Sequence, residues 1–248
     1  LHVGSSTLEA ENITADRIIG GSKNSNSDKV NLSTDNIKTT LSNVTVEKDF
    51  VGGNLLKATG QGGGGPASAE GKTQSIENNI LSGKFNGRFV GGSMAENYGN
   101  NTGTLEVSDQ SIVTNISGGD FSKVLEIFGG ALATGKGTQA FVESSVLKIT
   151  GGDIKHLNST LILDGSSGNF VSSQGSNLEN QTYGEFYGGG FNSFVSENIS
   201  VSVENMTLGF IAHDKDGKGT MNKAMIYAGS RINSLEEKKW EEGDSSLC

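Results

Sequence analysis

Short segments in which apolar and polar residues alternate recur along the chain, separated by Gly, Asn, Asp and Ser. Clear examples are residues 41–46, 104–107 and 199–203, where β-branched residues occupy alternate positions. Alternation with a period of two is typical of half-buried β-strands. Because helical periodicity is almost absent, the pattern predicts an all-β chain.

One phrase, an apolar pair followed by two glycines, recurs along the sequence. Its copies end at Gly20-Gly21, Gly52-Gly53, Gly91-Gly92, Gly129-Gly130 and Gly188-Gly189, with a decayed copy at Ala228-Gly229. The spacings between copies are 32, 39, 38, 59 and 40 residues. Four of these five spacings are close to two or three times about 20 residues, the length of one coil in many β-solenoids.

The repeat therefore predicts a parallel β-helix with about 20 residues per coil, in which glycine supplies positive-φ turns at the corners. About 12 coils at about 4.8 Å each would make a rod roughly 60 Å long. The alternative fold is a β-sandwich, although its turns should not follow one repeated phrase.

The same pattern divides the chain into one solenoid domain and a tail. Residues 1–234 form the predicted solenoid. Residues 57–75 include a run of glycines without alternation and are expected to leave the rod as a flexible excursion. Residues 235–248 are charged, contain the only Trp, and are expected to form a C-terminal cap or a frayed tail.

Composition disfavours or excludes several kinds of partner and site. With 33% apolar residues and 37 Gly among 248 residues, the chain can build a thin, regular core. A net charge of −9 makes nucleic acid an unfavourable partner. The single Cys, Cys248, excludes a disulfide framework and a thiolate metal site. Without a long apolar run or a leader sequence, the chain is expected to be a mature protein or a fragment that does not span a membrane.

Two glycine-rich tracts superficially resemble ligand loops. Residues 214–219 begin like a calcium loop, but Lys218 and Met225 occupy positions that need oxygen ligands. Residues 60–65 lack the Lys-Ser/Thr of a phosphate loop. We expect both tracts to be turns or loops. We also expect turn positions for Asp120 and Asp153, which follow the pairs Gly118-Gly119 and Gly151-Gly152.

Catalysis is the sharper hypothesis, because paired carboxylates in a β-helix groove can cleave polysaccharides. The best cluster that the sequence offers is Asp153, His156 and Asp164. Their alternative role is as solvent-facing polar positions of adjacent turns. We therefore predict no catalytic residue, metal or cofactor.

Nine Asn-x-Ser/Thr triplets occur, beginning at Asn12, Asn31, Asn43, Asn100, Asn115, Asn158, Asn180, Asn198 and Asn205. Glycosylation is one explanation. Strand alternation is the other, because the middle residue is apolar in six of the nine. That pattern would place Asn and Thr outside and the aliphatic side chain inside.

The phrases at residues 89–93, 127–131 and 186–191 resemble the degenerate Gly-Gly repeats of bacterial autotransporter passengers and related β-helical surface adhesins. The resemblance implies a right-handed parallel β-helix displayed outside the bacterial cell, and it supplies no catalytic residues.

We therefore expect an extracellular adhesin or stalk segment that binds host glycans, host proteins or copies of itself through its lateral faces and loops. Residues 57–75 and the irregular tract from Ser166 to Thr182 are the expected contact loops. The alternatives are a polysaccharide lyase or hydrolase and a passive spacer.

Overall fold

The computed structural model describes residues 1–25, 29–58, 68–97, 103–124, 126–152, 161–163, 170–172, 185–204, 209–214, 219–223 and 225–230. The regular structure in these ranges is entirely β. It comprises β1 (His2–Glu11), β2 (Thr14–Ile19), β3 (Lys23–Ser25), β4 (Lys29–Ser42), β5 (Val44–Val51), β6 (Leu55–Ala58), β7 (Ser68–Ile80), β8 (Gly83–Phe85), β9 (Phe89–Val90), β10 (Met94–Asn97), β11 (Leu105–Ile116), β12 (Glu126–Phe128), β13 (Leu132–Thr134), β14 (Thr138–Ile149), β15 (Leu161–Leu163), β16 (Phe170–Ser172), β17 (Glu185–Tyr187), β18 (Ser193–Val203), β19 (Gly209–Asp214), β20 (Gly219–Lys223) and β21 (Met225–Tyr227).

Three parallel sheets form the walls of a β-solenoid. Sheet A has the order β1-β4-β7-β11-β14-β18. Sheet B has the order β2-β5-β9-β12-β17-β21, with β8 beside β5, and sheet C has the order β3-β6-β10-β13. The chain passes from A to B to C and then returns to A one coil further along. The predicted parallel β-helix is confirmed, while its right-handedness stays a prediction.

Coil length differs from the expected 20 residues. Strand pairing in sheet A joins residues that are 31, 39, 36, 33 and 54 positions apart, through the column Ser6, Ile37, Ile76, Ile112, Ser145 and Ile199. Each Gly-Gly phrase therefore marks one whole coil of three strands, and the prediction of two or three short coils between phrases is wrong. Six strands in sheet A extend about 24 Å along the axis, because neighbouring strands lie about 4.8 Å apart.

The long interval between the phrases at 129 and 188 contains an inserted hairpin. Strands β15 and β16 pair antiparallel, as do β19 and β20, and β15 pairs with β19 in parallel to complete a four-stranded sheet D. Both hairpins follow a strand of sheet A and precede a strand of sheet B. The 59-residue spacing is thus one coil with an insertion. Of the tract from Ser166 to Thr182, only β16 lies within the described residues.

The core is divided because the glycine corner, residues 20–21, 52–53, 91–92, 129–130 and 188–189, comes close to sheet A. One cluster joins sheets A and B and includes Ile80 and Phe89. A second joins sheets A and C and includes Ile76 and Leu56. A third is formed by the opposite faces of sheets B and C and includes Val90 and Met94. Consecutive residues in sheets B and C are therefore both buried.

Stacking along the axis fills these clusters. The rings of Phe50 and Phe89, on neighbouring strands of sheet B, have centroids 4.6 Å apart. Those of Phe85 and Phe121 are 4.8 Å apart and nearly parallel. Repeating a large apolar residue at one position of each coil thus gives a continuous core.

Close approach, and not a positive φ, explains the glycine corner. A Cβ added to Gly91 would lie 2.3 Å from the carbonyl oxygen of Gly129 and 2.5 Å from Oγ1 of Thr114. Positive φ occurs instead where sheet A turns into sheet B, at Gly83, Gly119 and Gly152. The predicted positive-φ role therefore belongs to the pairs Gly118-Gly119 and Gly151-Gly152, and not to the glycine corner.

The predicted excursion at residues 57–75 is wrong at both of its ends. Residues 57–58 belong to β6, and residues 68–75 belong to β7. The apolar alternation expected of a strand is missing from this part of β7, because its inward positions are Ala69, Gly71 and Thr73, which are small or polar. Residues 59–67 lie outside the described residues, as do residues 235–248 with Cys248.

Candidate functional site

The candidate functional site is the outer face of sheet A, formed by the side chains that point away from the core on its six strands. Adjacent strands place equivalent residues in columns along the solenoid axis. One such column contains small polar residues in every coil, namely Ser5, Asn36, Ser75, Ser111, Ser144 and Asn198. Strands of about 12 residues at about 3.3 Å per residue make this face about 40 Å wide.

Hydrogen bonds between coils order the polar groups on this face. The Ser75 hydroxyl donates to Oδ1 of Asn36 at 2.7 Å, and the Asn115 amide donates to Oδ1 of Asn79 at 3.0 Å. The side chain of Gln74 donates to Oδ1 of Asp35 at 3.3 Å. Polar side chains that are held in this way lose less conformational entropy when a partner binds.

The outer face of sheet A is acidic. Its carboxylates are Glu9, Glu11, Asp35, Glu70, Glu77, Glu106, Glu143, Glu197 and Glu204. The lysines with described side chains pair with three of them: Lys38 with Glu77, Lys72 with Glu70 and Lys148 with Glu204, at 3.4, 2.6 and 3.4 Å. A hydrogen bond from Asn79 lowers the pKa of Glu77. Such a face is electrostatically unfavourable for a phosphate backbone.

A small apolar patch interrupts this polar surface. The rings of Phe141 and Phe194 stack across neighbouring strands with centroids 5.5 Å apart. Val146 lies on the same strand as Phe141 and is 37% exposed. Aromatic and aliphatic groups beside carboxylates, amides and hydroxyls provide both apolar and hydrogen-bonding contacts for a partner.

An ionic cluster joins sheets B and C on the other side of the molecule. Asp49 accepts hydrogen bonds from Nε of Arg17 at 2.8 Å and from Nε of Arg88 at 3.0 Å. Arg88 also pairs with Glu96, which in turn pairs with Lys57. Burial alone would raise the pKa of Asp49, but its bonds to Arg88 and Arg17 outweigh burial and lower that pKa. These charges hold adjacent strands together, so we assign the cluster a structural role.

The residues that the sequence singled out for chemistry are largely outside the described ranges. This holds for Asp153, His156 and Asp164, and for residues 60–65. Asp214 ends β19 and Gly219 begins β20, so their tract connects two strands as predicted. Asp120 forms an isolated parallel β-bridge with Lys84 instead of a turn. Its carboxylate accepts a hydrogen bond from the Ser122 amide at 2.9 Å, just before the turn at residues 122–123.

The Asn-x-Ser/Thr triplets that the structure describes occur in two kinds of position. Asn31 and Asn115 lie within strands of sheet A and precede the buried residues Leu32 and Ile116, as alternation predicts. Asn12 and Asn43 instead lie at the turn from sheet A to sheet B with φ of 57° and 50°. Their side chains bond to each other at 2.6 Å.

Ile13, which follows Asn12, is 42% exposed, so the expectation of an inward aliphatic residue is wrong there. Asparagine occupies these two turns because it tolerates the left-handed conformation better than most residues.

The described residues contain no group of three or more side chains placed to bind a metal ion. Within those same ranges, no helix has the length and apolar character needed to cross a membrane. Comparisons with protein-family models, curated proteins and solved structures find no match to this chain.

Proposed function

We propose that this chain is a cell-surface or secreted adhesin segment that binds a host glycan, a host protein or another copy of itself without chemistry. The observation that carries this proposal is the outer face of sheet A, an ordered and mainly polar surface that the core does not need. The hydrophobic clusters are built from inward residues and from sheets B and C. Outward residues are thus available for a partner.

The size of this face suits such a role. Its width of about 40 Å and its length of about 24 Å give roughly 1,000 Å². A typical stable interface buries about 800 Å² on each partner. One partner could therefore be held by sheet A alone, with the Phe141–Phe194 stack providing apolar contact.

Bacterial display also belongs to this proposal. The repeated Gly-Gly phrases resemble those of autotransporter passengers, and each phrase marks one coil of the solenoid. A parallel stack of local coils can fold progressively from one end, which suits export.

The test compares two double variants of the chain displayed on bacteria. Ser111→Lys with Ser144→Lys adds two bulky charges to adjacent strands on the outer face of sheet A. Thr14→Lys with Thr45→Lys makes the same addition on the outside of sheet B. We expect the sheet A variant to lose most adherence to epithelial cells, or most settling in suspension, while the sheet B variant keeps both. Equal behaviour of the two variants at equal surface display would refute sheet A as the binding face.

A further inference from the structure

A network of buried polar side chains crosses the interior between sheet A and the residues that follow each Gly-Gly phrase. The Asn54 amide group donates to Oγ1 of Thr73 at 3.0 Å, and the backbone NH of Asn54 donates to Oγ of Ser93 at 2.9 Å. The Ser93 hydroxyl and backbone NH then donate to the two carboxylate oxygens of Asp109, each at 2.7 Å. The network thus ends at an ionisable group.

Asp109 is unusual in its column. It is 1% exposed and lies on an inward position of β11. The equivalent residues on neighbouring strands are Thr34, Thr73 and Val142, all uncharged. A neutral side chain therefore satisfies the same position in adjacent coils, and the carboxylate introduces a charge that the fold does not require.

No described cation faces this carboxylate. On the adjacent strands β7 and β14, Glu70, Lys72, Glu77, Glu143 and Lys148 all lie on the outer face of sheet A, and Glu106 does so on β11 itself. On sheet C, Lys57 and Glu96 pair with each other and, through Glu96, with Arg88. Among the described residues, the groups that compensate Asp109 are the hydrogen-bond donors Ser93 and Thr73.

Burial raises the pKa of Asp109 from 3.8 to about 6, because the hydrogen bonds from Ser93 and Thr73 offset the effect of burial only in part. The folded state holds the proton more tightly than the unfolded state, so the contribution of Asp109 to stability falls as pH rises from about 4 to about 6. Above that range the folded coils contain a buried negative charge.

We propose that Asp109 makes the stability of the central coils of the solenoid depend on pH. The coils resist local unfolding when Asp109 is protonated in mildly acidic surroundings, and they unfold locally more readily when it is ionised. The device acts through β7, β11 and the glycine corner at residues 91–92, because the hydrogen-bond network joins these elements. It is independent of which partner the outer face of sheet A binds.

The test is amide hydrogen exchange of the full chain at pH 4.0 and pH 7.5. The readout is the exchange rate of protected amides in β7 and β11, taken as the ratio of the natural chain to the variant Asp109→Asn. Intrinsic exchange cancels in this ratio. We expect the ratio to rise about 60-fold between the two pH values, which is the factor that a two-unit pKa difference gives over this range.

Two further variants make the result decisive. Glu106→Gln removes an outer charge from the same strand and should leave the ratio unchanged with pH. Asp109→Thr copies the residue of the neighbouring strands and should behave like Asp109→Asn. A ratio that does not change with pH would overturn the proposal. Failure of both neutral variants to fold would overturn it too, because the ionised carboxylate would then be holding the coils together.

Discussion

The glycine corner makes a sharp prediction about Gly91→Ala. The added methyl would lie 2.3 Å from the Gly129 oxygen and 2.5 Å from the Thr114 hydroxyl, whereas real contacts of this kind are longer than 3.0 Å. The next coil must therefore retreat by about 1 Å. That shift strains the bond from the Gly91 amide to the Phe128 carbonyl, which is 2.8 Å long. Overpacking costs about 1–3 kcal/mol and a strained hydrogen bond about 1 kcal/mol.

We therefore expect Gly91→Ala to reduce the free energy of unfolding by about 3 kcal/mol. The matched control is Gly71→Ala, on an inward position of β7. A Cβ there would lie 3.6 Å from its nearest neighbours, Asn54 and Leu56, which is ordinary van der Waals contact. This control should be neutral or should stabilise the chain by up to about 1 kcal/mol, because alanine restricts the unfolded chain.

Urea denaturation followed by far-UV circular dichroism measures both changes. The comparison uses midpoints together with slopes, since a stack of coils need not unfold in one step. If Gly91→Ala is no more destabilising than Gly71→Ala, the glycine corner does not depend on close approach of successive coils.

Three further predictions follow from the described contacts. Asp49→Asn should destabilise the chain by about 2 kcal/mol at pH 7, because Arg17 loses its carboxylate partner and Arg88 loses one of two, keeping Glu96. The difference should shrink as pH falls below 3.8, the ordinary Asp pKa, because the unfolded chain then takes up a proton at Asp49 more readily than the folded chain. Thermal unfolding across pH measures this, and a difference that is constant with pH would contradict it. Asn43→Ala should cost about 1 kcal/mol more than Asn43→Gly, because φ is 50° at this turn, and equal urea midpoints for the two variants would refute it. Replacing residues 58–68 with the turn Gly135–Gly137, which closes the same corner two coils later, should leave the circular dichroism spectrum native and weaken adherence; an unfolded product would show that residues 58–68 are needed for the fold.

Strand type and coil stacking could be predicted because they depend on local alternation and on a repeated phrase. Coil length could not be predicted, because the inward positions of the long strands in sheet A are not all apolar. Inward Thr39 and Asn78 are polar, and the paired outward positions Asp35 and Asn36 interrupt the period of two in the middle of β4. A strand with these features reads as two short ones.

The site was harder to predict for a different reason. The outer face of sheet A becomes a surface only when strands that are 31 to 54 residues apart are placed side by side, and the correct register depends on the coil length. Asp109 had a usable signal, because it follows Leu105 and Val107 at the spacing of inward residues. Its hydrogen bonds nevertheless depend on Ser93, which lies between β9 and β10, and the sequence alone does not place these two residues together.

The most direct test of the central claim compares bacteria that display a polypeptide containing residues 1–248 with bacteria that display the same polypeptide without them. The two measurements are adherence to epithelial cells and settling in suspension. The proposed function predicts that removal of this segment abolishes adherence to epithelial cells, or settling, at unchanged surface display. Unchanged adherence and settling would contradict a binding role and would leave the solenoid as a spacer.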